Sequence, residues 1–503
     1  MNETPRMLAM HNGEARGIQE VAELDWQQFR RAILDGVSGG SHVAAMFGSA
    51  PDDQKSVAIF VVLADRESGR INVAKTTVSG DSFPSLTSDC PQLHLFEREI
   101  AEQYNLVPEG HPWLKPVRFA KALRPGSDKQ PIIGVTDFYR VEGEEVHEVA
   151  VGPVHAGVIE PGHFRFQCHG EHVFHLEISL GYQHRGVESK LVGGPDKRTV
   201  HYMETLAGDT TVGHTTAYCQ SIEALSGCKV PARAQVLRGV ALELERMANH
   251  TGDLGALSGD VGFLPTASYC GRLRGDFLNM TALLCGSRLG RALIRPGGVA
   301  FDLDQARAQD MLARLENTMR DVTNAVELMW NSSSTMSRFE ETGRLPLETC
   351  EQLGIVGPAA RACGLERDVR NDFPAGIFRV SHIPVSTAIT GDVFARAYVR
   401  WLEIQRSADF LREQLKTLLG GSTRATLGEL APDKFVVSLV EGWRGQICHV
   451  AMTDQRSRIA KYKVVDPSFH NWMALAQAMR NQQISDFPLC NKSFNLSYCG
   501  HDL

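Results

Sequence analysis

Glu243-Leu-Glu-Arg246-Met-Ala-Asn-His250-Thr-Gly-Asp253 sets charged and polar side chains into a run that otherwise reads as a buried helix. Val236, Leu237, Val240, Leu244 and Met247 fall on one face of that helix. Pro231 stands where it begins, a residue favoured at the first helical position. The polar run continues to Asp260. Ionisable groups on an apolar face mark either a functional site or a structural ion-pair network, and for His250 and Asp260 spacing alone does not choose. A second long helix reads from about 391 to 415, with Val393, Ala397, Trp401 and Ile404 on one stripe. Most of the chain beyond residue 150 therefore reads as helical.

The N-terminal part reads differently. Val57-Ala-Ile-Phe-Val-Val-Leu is a continuous apolar run of strand length. Arg70-Ile-Asn-Val-Ala-Lys-Thr-Thr-Val alternates, as a half-buried strand does. Leu95-Phe-Glu-Arg-Glu-Ile-Ala-Glu-Gln-Tyr has helical spacing. Arg124-Pro-Gly-Ser-Asp-Lys-Gln-Pro carries turn residues and reads as a linker.

Length, 503 residues, favours two or more domains. The formal net charge of -7 comes without a long run of one sign, so a nucleic-acid partner is not expected. No apolar run reaches the ~18 residues of a membrane span, and Asn2, Glu3 and Arg6 do not open a signal peptide. Eleven cysteines are scattered with no C-x-x-C pair, which reads as reduced, buried thiols and a cytoplasmic location. There is no phosphate loop and no G-x-G-x-x-G after a strand, so the chain is not expected to bind NAD or ATP itself.

Three further stretches carry chemistry. Gly152-Pro-Val-His155-Ala-Gly-Val-Ile-Glu160-Pro-Gly-His163-Phe-Arg brings two histidines and a carboxylate into one loop, a proton-relay composition or simply a polar surface turn. Gly181-Tyr-Gln-His184-Arg185-Gly-Val-Glu188 follows a strand-like run, and Arg185 with Glu188 has the spacing of a helix-face pair. Asp209, Thr210, Thr211, His214 and Tyr218 follow Glu204, with His214 and Tyr218 on one helix face.

Taken in order, these stretches, with Arg295-Pro-Gly-Gly-Val and Arg367-Asp-Val-Arg370, resemble the large subunit of membrane-bound, energy-converting nickel-iron hydrogenases of the formate hydrogenlyase type. They equally resemble its homologue, the 49-kDa subunit of complex I. Phe83-Pro-Ser-Leu-Thr, Phe96-Glu-Arg-Glu and Glu109-Gly-His-Pro-Trp-Leu resemble the 30-kDa subunit of complex I. The resemblance implies an α+β chain in three parts. Residues 1–130 would form a 30-kDa-like α+β domain and 131–150 a linker. Residues 151–503 would form a mainly helical domain like the hydrogenase large subunit, with a small β part. It implies a small iron-sulfur subunit, a ferredoxin-like iron-sulfur subunit, and membrane antiporter-like and anchor subunits as partners. It places the chain peripherally on the cytoplasmic side of the inner membrane. NAD-linked chemistry and proton translocation enter only at the level of the family.

The departures matter most. A nickel-iron site of that family needs four thiolates, because soft ligands hold and bridge the metals. The matching positions here are Ala207, Thr210, Ser497 and Gly500, with Cys499 one residue out of step. No metal and no cofactor is therefore expected on this chain alone. The iron-sulfur cluster would lie in a partner, and a quinone is a candidate acceptor. In the quinone register His163 and Asp260 match the family's His and Asp, while the Tyr position falls on Gly208. The resemblance implies a cavity with Glu160, His163, Asp209 and Asp260 as reacting groups. His155, Arg185, Glu188, His214 and His250 would line the cavity and the cluster-facing side. Three readings follow: a redox subunit with a remodelled cavity, a scaffold that couples without chemistry, or a hydrogenase with an unusual metal site.

Overall fold

A computed structural model describes residues 6–50, 56–124, 131–155 and 159–503. Residues 1–5 and 125–130, which carry part of the N-terminal and linker readings, lie outside the described residues, as do 156–158 in the Gly152–His163 stretch.

The apolar run becomes the strand Val57–Asp65, covered on both faces. Its alternating neighbour becomes Arg70–Val78, with inner and outer residues taking turns. With Leu8–Met10 and His42–Ser49 they form an antiparallel sheet, and Ala22–Glu23 adds a short parallel edge. The helices Trp26–Ser38 and His94–Tyr104 pack on this sheet.

A second sheet lies near the end of the chain. Ile459–Val465, Gly445–Thr453 and Lys434–Gly442 run antiparallel, and the N-terminal strand Ala15–Gly17 completes the edge. The first and last parts of the chain thus share one sheet. They also share one core, where Phe60 stacks on Phe47 at 5.3 Å and on Phe435 at 6.0 Å. An ion cluster ties the same two parts: the Lys463 ammonium reaches both Glu99 oxygens (2.5 and 2.7 Å) and Glu188 (3.1 Å), and Glu99 also pairs with Arg118.

The middle of the chain is the helical body. Ala232–Asp260, Leu264–Cys285, Gln305–Trp330 and Val393–Lys416 pack together, and Thr211–Ser226 lies between them and the second sheet. Gly255 permits a close approach of two helices, since a Cβ there would sit 2.8 Å from Cβ of Cys270. The long helix starts at Pro231 as expected, with Pro231 as its cap and Ala232 as its first residue. Val393–Lys416 is closed by the Asp392 carboxylate, which accepts from the Ala395 N–H at 2.8 Å. A third sheet, Val146–Val151, His163–His169 and His172–Ser179, carries the loop that ends at His163.

The charged run in the long helix resolves into a buried ion-pair network. Arg246 pairs with Glu243 (3.0 Å) and Glu403 (3.5 Å) and donates to the carbonyls of Glu441 (2.7 Å) and Gly442 (3.0 Å). Arg361 bridges Glu403 and Glu441, each at 2.8 Å. Arg370 joins Glu243 (3.0 Å) to Asp368 (2.6 Å), and His250 bonds Glu403 at 2.9 Å. Every member is buried, so each charge depends on its partners. Arg361→Met would strand Glu403 and Glu441 together. The expected loss is about 3–5 kcal/mol, measured as a lower urea midpoint with the far-UV spectrum unchanged. A change near zero would mean that the network carries no net weight.

Candidate functional site

The strands Lys434–Gly442 and Gly445–Thr453 are joined by Trp443 and Arg444 alone, with Gly442 facing Gly445. Gly445 has φ 134, and a Cβ there would meet the Gly357 backbone at 2.8 Å, so only glycine fits this turn. The turn pushes two large side chains toward the loop before Thr211–Ser226.

Arg444 grips the Asp209 carboxylate with both terminal nitrogens, at 2.6 and 2.8 Å. Its Nε donates to the Asn495 carbonyl at 2.5 Å, and Nη1 to Thr210 Oγ1 at 3.3 Å. The guanidinium lies 3.9 Å over the Trp443 ring. Trp443 Nε1 and Asn249 Nδ2 each donate to the Asp209 carbonyl at 3.0 Å. Burial alone would raise the Asp209 carboxyl, but the Arg444 charge outweighs it and holds Asp209 below its ordinary value.

Arg185 closes the opposite side. It donates to the carbonyls of Thr205 (2.7 Å), Leu206 (2.9 Å) and Cys499 (3.3 Å), pinning the 205–210 loop to the last residues of the chain. The Cys499 thiol lies between the Glu160 carboxylate and the Gly208 N–H. Burial and the Glu160 charge push it up to about 11, so it stays a neutral thiol. Glu160 also accepts from the Tyr498 N–H at 3.3 Å. A Cβ at Gly208 would meet nothing within 4 Å, so the loop opens on free space there.

The four positions Ala207, Thr210, Ser497 and Gly500 lie on the two loops that Arg185 and Arg444 bind together. Ala207 offers no donor atom. Thr210 Oγ1 accepts from Arg444, and Ser497 Oγ accepts from the Gly500 N–H at 2.9 Å. Asp466 stands against Gly500: a Cβ at that position would lie 2.7 Å from Asp466 Oδ2. Among the described residues no group of three or more His, Cys, Asp or Glu is placed to hold a metal ion.

Known proteins match over most of the chain. Residues 20–126 match the 30 Kd subunit of respiratory-chain NADH dehydrogenase, and residues 260–433 and 423–502 match its 49 Kd subunit. The chain is 30% identical over 352 residues to the carbon monoxide-induced hydrogenase of Rhodospirillum rubrum, covering 69% of this chain and 97% of that protein. The chain belongs to the family of soluble-arm subunits shared by complex I and the energy-converting hydrogenases. Formate hydrogenlyase subunit 5 of Escherichia coli (strain K12) is 27% identical over 91% of this chain and 84% of its own length. An NADH-quinone oxidoreductase subunit of Solibacter usitatus is 26% identical over 67% of this chain and 91% of its own length. This family's 30-kDa and 49-kDa parts are thus fused in one chain, with the mixed helix-and-strand fold expected. Among the described residues no helix is long and apolar enough to cross a membrane.

The structure gathers Glu160, Arg185, Gly208 and Asp209 around the two loops. His163 adjoins them through Gly162, whose Cβ position is filled by the Tyr498 ring. Its Nδ1 donates to the Gly152 carbonyl at 3.3 Å, and burial lowers its basicity. His155 bonds the Gly162 carbonyl at 2.9 Å, on the far side of the same loop. The expected Arg185–Glu188 pair does not form, because Glu188 turns instead to Lys463 and the Val464 N–H. Asp260 is exposed at the C-terminal end of the long helix. Asp253, two turns earlier, makes the contact to the site, accepting from Asn495 Nδ2 at 2.6 Å. His250 lies in the ion network with its ring edge to Trp443 (6.1 Å). His214, expected on the cluster-facing side, is fully buried, with both ring nitrogens bonded inside the chain.

Sequence reasoning missed Trp443, Arg444, Asp466 and Glu245. Gly-Trp-Arg-Gly between two apolar runs is a hairpin signal that could have shown the first two. Glu245 accepts from the N–H groups of Val212 (2.7 Å) and Gly213 (3.1 Å) at the start of a helix. Burial, with the Asp209 charge beside it, still pushes Glu245 up to about 8. Because its folded value lies above the unfolded one, Glu245 adds stability that is complete below about pH 4.5 and is lost as pH rises through about 8. Glu245→Gln should therefore gain on the native chain, in thermal midpoint, as pH is raised across that window. Parallel curves for the two proteins would show that Glu245 ionises normally.

Proposed function

We propose that this chain is the large soluble-arm subunit of a membrane-bound, ion-translocating oxidoreductase. It takes electrons from an iron-sulfur cluster in an adjacent small subunit to a quinone or another small acceptor, without nickel-iron chemistry. Glu160, His163 and Asp209 are the residues assigned to this reaction, and Asp260 remains assigned from the family register alone. We divide the chain as 1–130, 131–150 and 151–503.

One observation carries the reading. Beside Thr210, one of the four positions matched to thiolates, Arg444 holds Asp209 in a two-pronged grip. The donor set does not fit a nickel-iron pair: Ala207 and Gly500 supply no ligand atom, Thr210 and Ser497 supply hard hydroxyls already bonded, and Cys499 is a neutral thiol. A guanidinium against Thr210 adds a fixed positive charge beside these positions. The same features fit an acceptor that gains negative charge. Arg444 offers fixed positive charge in a partly buried setting, which acts with more force there than in water. Gly208 leaves the opening that an aromatic side chain would fill.

Relatives point the same two ways, since some are named hydrogenases and others NADH-quinone oxidoreductases. A quinone, when bound, supplies carbonyl oxygens that accept electrons and protons. Arg444 would orient and stabilise the oxygen that becomes charged. Glu160, linked to Gly208 through the Cys499 thiol, would hold a proton at its carboxyl oxygen. His163 would accept one at Nε2, to which Arg165 Nε donates over a long 3.4 Å. The scaffold reading is favoured by a different fact: both Asp209 oxygens are already committed to Arg444.

Arg444→Met and Asp209→Asn separate these readings in the assembled complex. The redox reading expects quinone-analogue reduction to fall ~100-fold in Arg444→Met, with less loss in Arg444→Lys and normal assembly of the complex. Unchanged acceptor turnover in both Arg444→Met and Asp209→Asn would leave the scaffold reading in its place.

A further inference from the structure

Behind Gly500 a line of four buried side chains runs into the second sheet. Asp466 Oδ2 bonds His214 Nε2 at 2.9 Å, His214 Nδ1 bonds His449 Nε2 at 3.1 Å, and His449 Nδ1 bonds the Tyr462 hydroxyl at 2.8 Å. None of the four is more than 1% exposed. They come from three places in the fold. Asp466 caps the helix Pro467–Ala478 through Ser468 N–H, His214 sits on Thr211–Ser226, and His449 and Tyr462 stand on neighbouring strands.

The proton count along this line has two solutions. Burial would raise Asp466, but the His214 bond and the Arg444 charge hold it below its ordinary value, so it is an acceptor. His214 Nε2 therefore donates. If His214 is neutral, its Nδ1 must accept from His449 Nε2–H, and His449 Nδ1 must accept from the Tyr462 hydroxyl. All three bonds then point toward Asp466. With one more proton the two inner bonds reverse. His214 Nδ1–H donates to His449 Nε2, His449 Nδ1–H donates to the Tyr462 oxygen, and the Tyr462 hydroxyl turns to Ser221.

The passage between the two states balances with one added proton. One proton is taken up at the Tyr462 oxygen, the hydroxyl proton passes to His449 Nδ1, and the proton on His449 Nε2 passes to His214 Nδ1. No heteroatom is left over-bonded, and no electron moves.

Along the line itself one place is left for that proton, while Glu245, against the start of the His214 helix, is a separate group pushed up to about 8. Burial and the neighbouring His214 push His449 well down. Burial pushes His470, near Asp466, down to about 4. Tyr218 and Cys219 on the His214 helix, and Cys448 and Tyr462 on the strands, are all pushed up by burial and stay neutral. Arg444 and Asp209 face Asp466 from the site, and each acts electrostatically on it or through it. The hydrogen-bond line itself puts the added proton on His214 Nδ1, whose other ring nitrogen donates to the Asp466 carboxylate.

We propose that Tyr462, His449, His214 and Asp466 form a proton relay that loads one proton onto His214 behind Gly500, opposite an electron arriving beside Arg444. The relay stands on the hydrogen-bond line itself; its coupling to an electron rests on the function proposed above.

The full chain labelled with nitrogen-15 histidine tests the relay directly. The expected result is one shared pH midpoint for His214 and His449. Across it His449 moves its proton from Nε2 to Nδ1 while His214 becomes doubly protonated. Separate midpoints, or an unchanged His449 tautomer, would overturn the relay. In the assembled complex, Tyr462→Phe keeps the ring and removes the hydroxyl. It is expected to lower acceptor turnover at least ~10-fold and to enlarge the solvent deuterium isotope effect, with an unchanged Michaelis constant. Shared titration together with native turnover and isotope effect in Tyr462→Phe would overturn the coupling. If the native complex reduces no acceptor, the function reading fails, while the titration still decides the relay.

Discussion

The Arg444–Asp209 pair is the interaction on which the site depends. A planar guanidinium facing a carboxylate with two parallel bonds is both strong and directional. Here it spans 235 residues of sequence and fixes a hairpin turn against a helix-leading loop. The Asn495 and Thr210 bonds extend the same grip to the chain's last loop. Without Arg444 the carboxylates of Asp209 and Asp466 would lose a cation that helps hold both below their ordinary values. With it, two carboxylates share one cation beside the positions that the resemblance matches to the family's thiolates.

Behind that pair stands the interior network of Arg246, Arg361, Arg370, Glu243, Glu403, Glu441 and Asp368. It holds the hairpin carbonyls just before Trp443, so the turn that carries Arg444 cannot drift. Burying so many charges is expensive, and such networks add little to net stability. Their effect here is positional. His250 joins the network to Trp443, and Trp443 joins it to Asp209. The long helix therefore reaches the site through the network and Asn249 more than through Asp260.

Much of the fold was legible because its signals are local. Val57–Asp65, Arg70–Val78, His94–Tyr104 and Val393–Lys416 each declare their period within a dozen or so residues. The ordered motifs gave the family, and the family register pointed to Ala207, Thr210, Ser497 and Gly500 as the positions matching its thiolates. Other features were not legible, because they depend on distant partners. Nothing near Ala15–Gly17 shows that it will edge a strand more than four hundred residues away. Arg444 looks like a turn residue until Asp209 is placed beside it. His214 reads as a cluster-facing donor from the family register, and its burial between His449 and Asp466 shows only in the tertiary packing. Cys499 reads as out of step, yet its thiol lies between Glu160 and Gly208.

The central claim is that Arg444 and two carboxylates have taken over a place built for metal-binding thiolates. Elemental mass spectrometry on the natively purified complex tests it most directly, through the ratio of nickel to this subunit. A ratio near zero is the expected result. A ratio near one would contradict the claim, because a nickel centre could then form without the four thiolate positions.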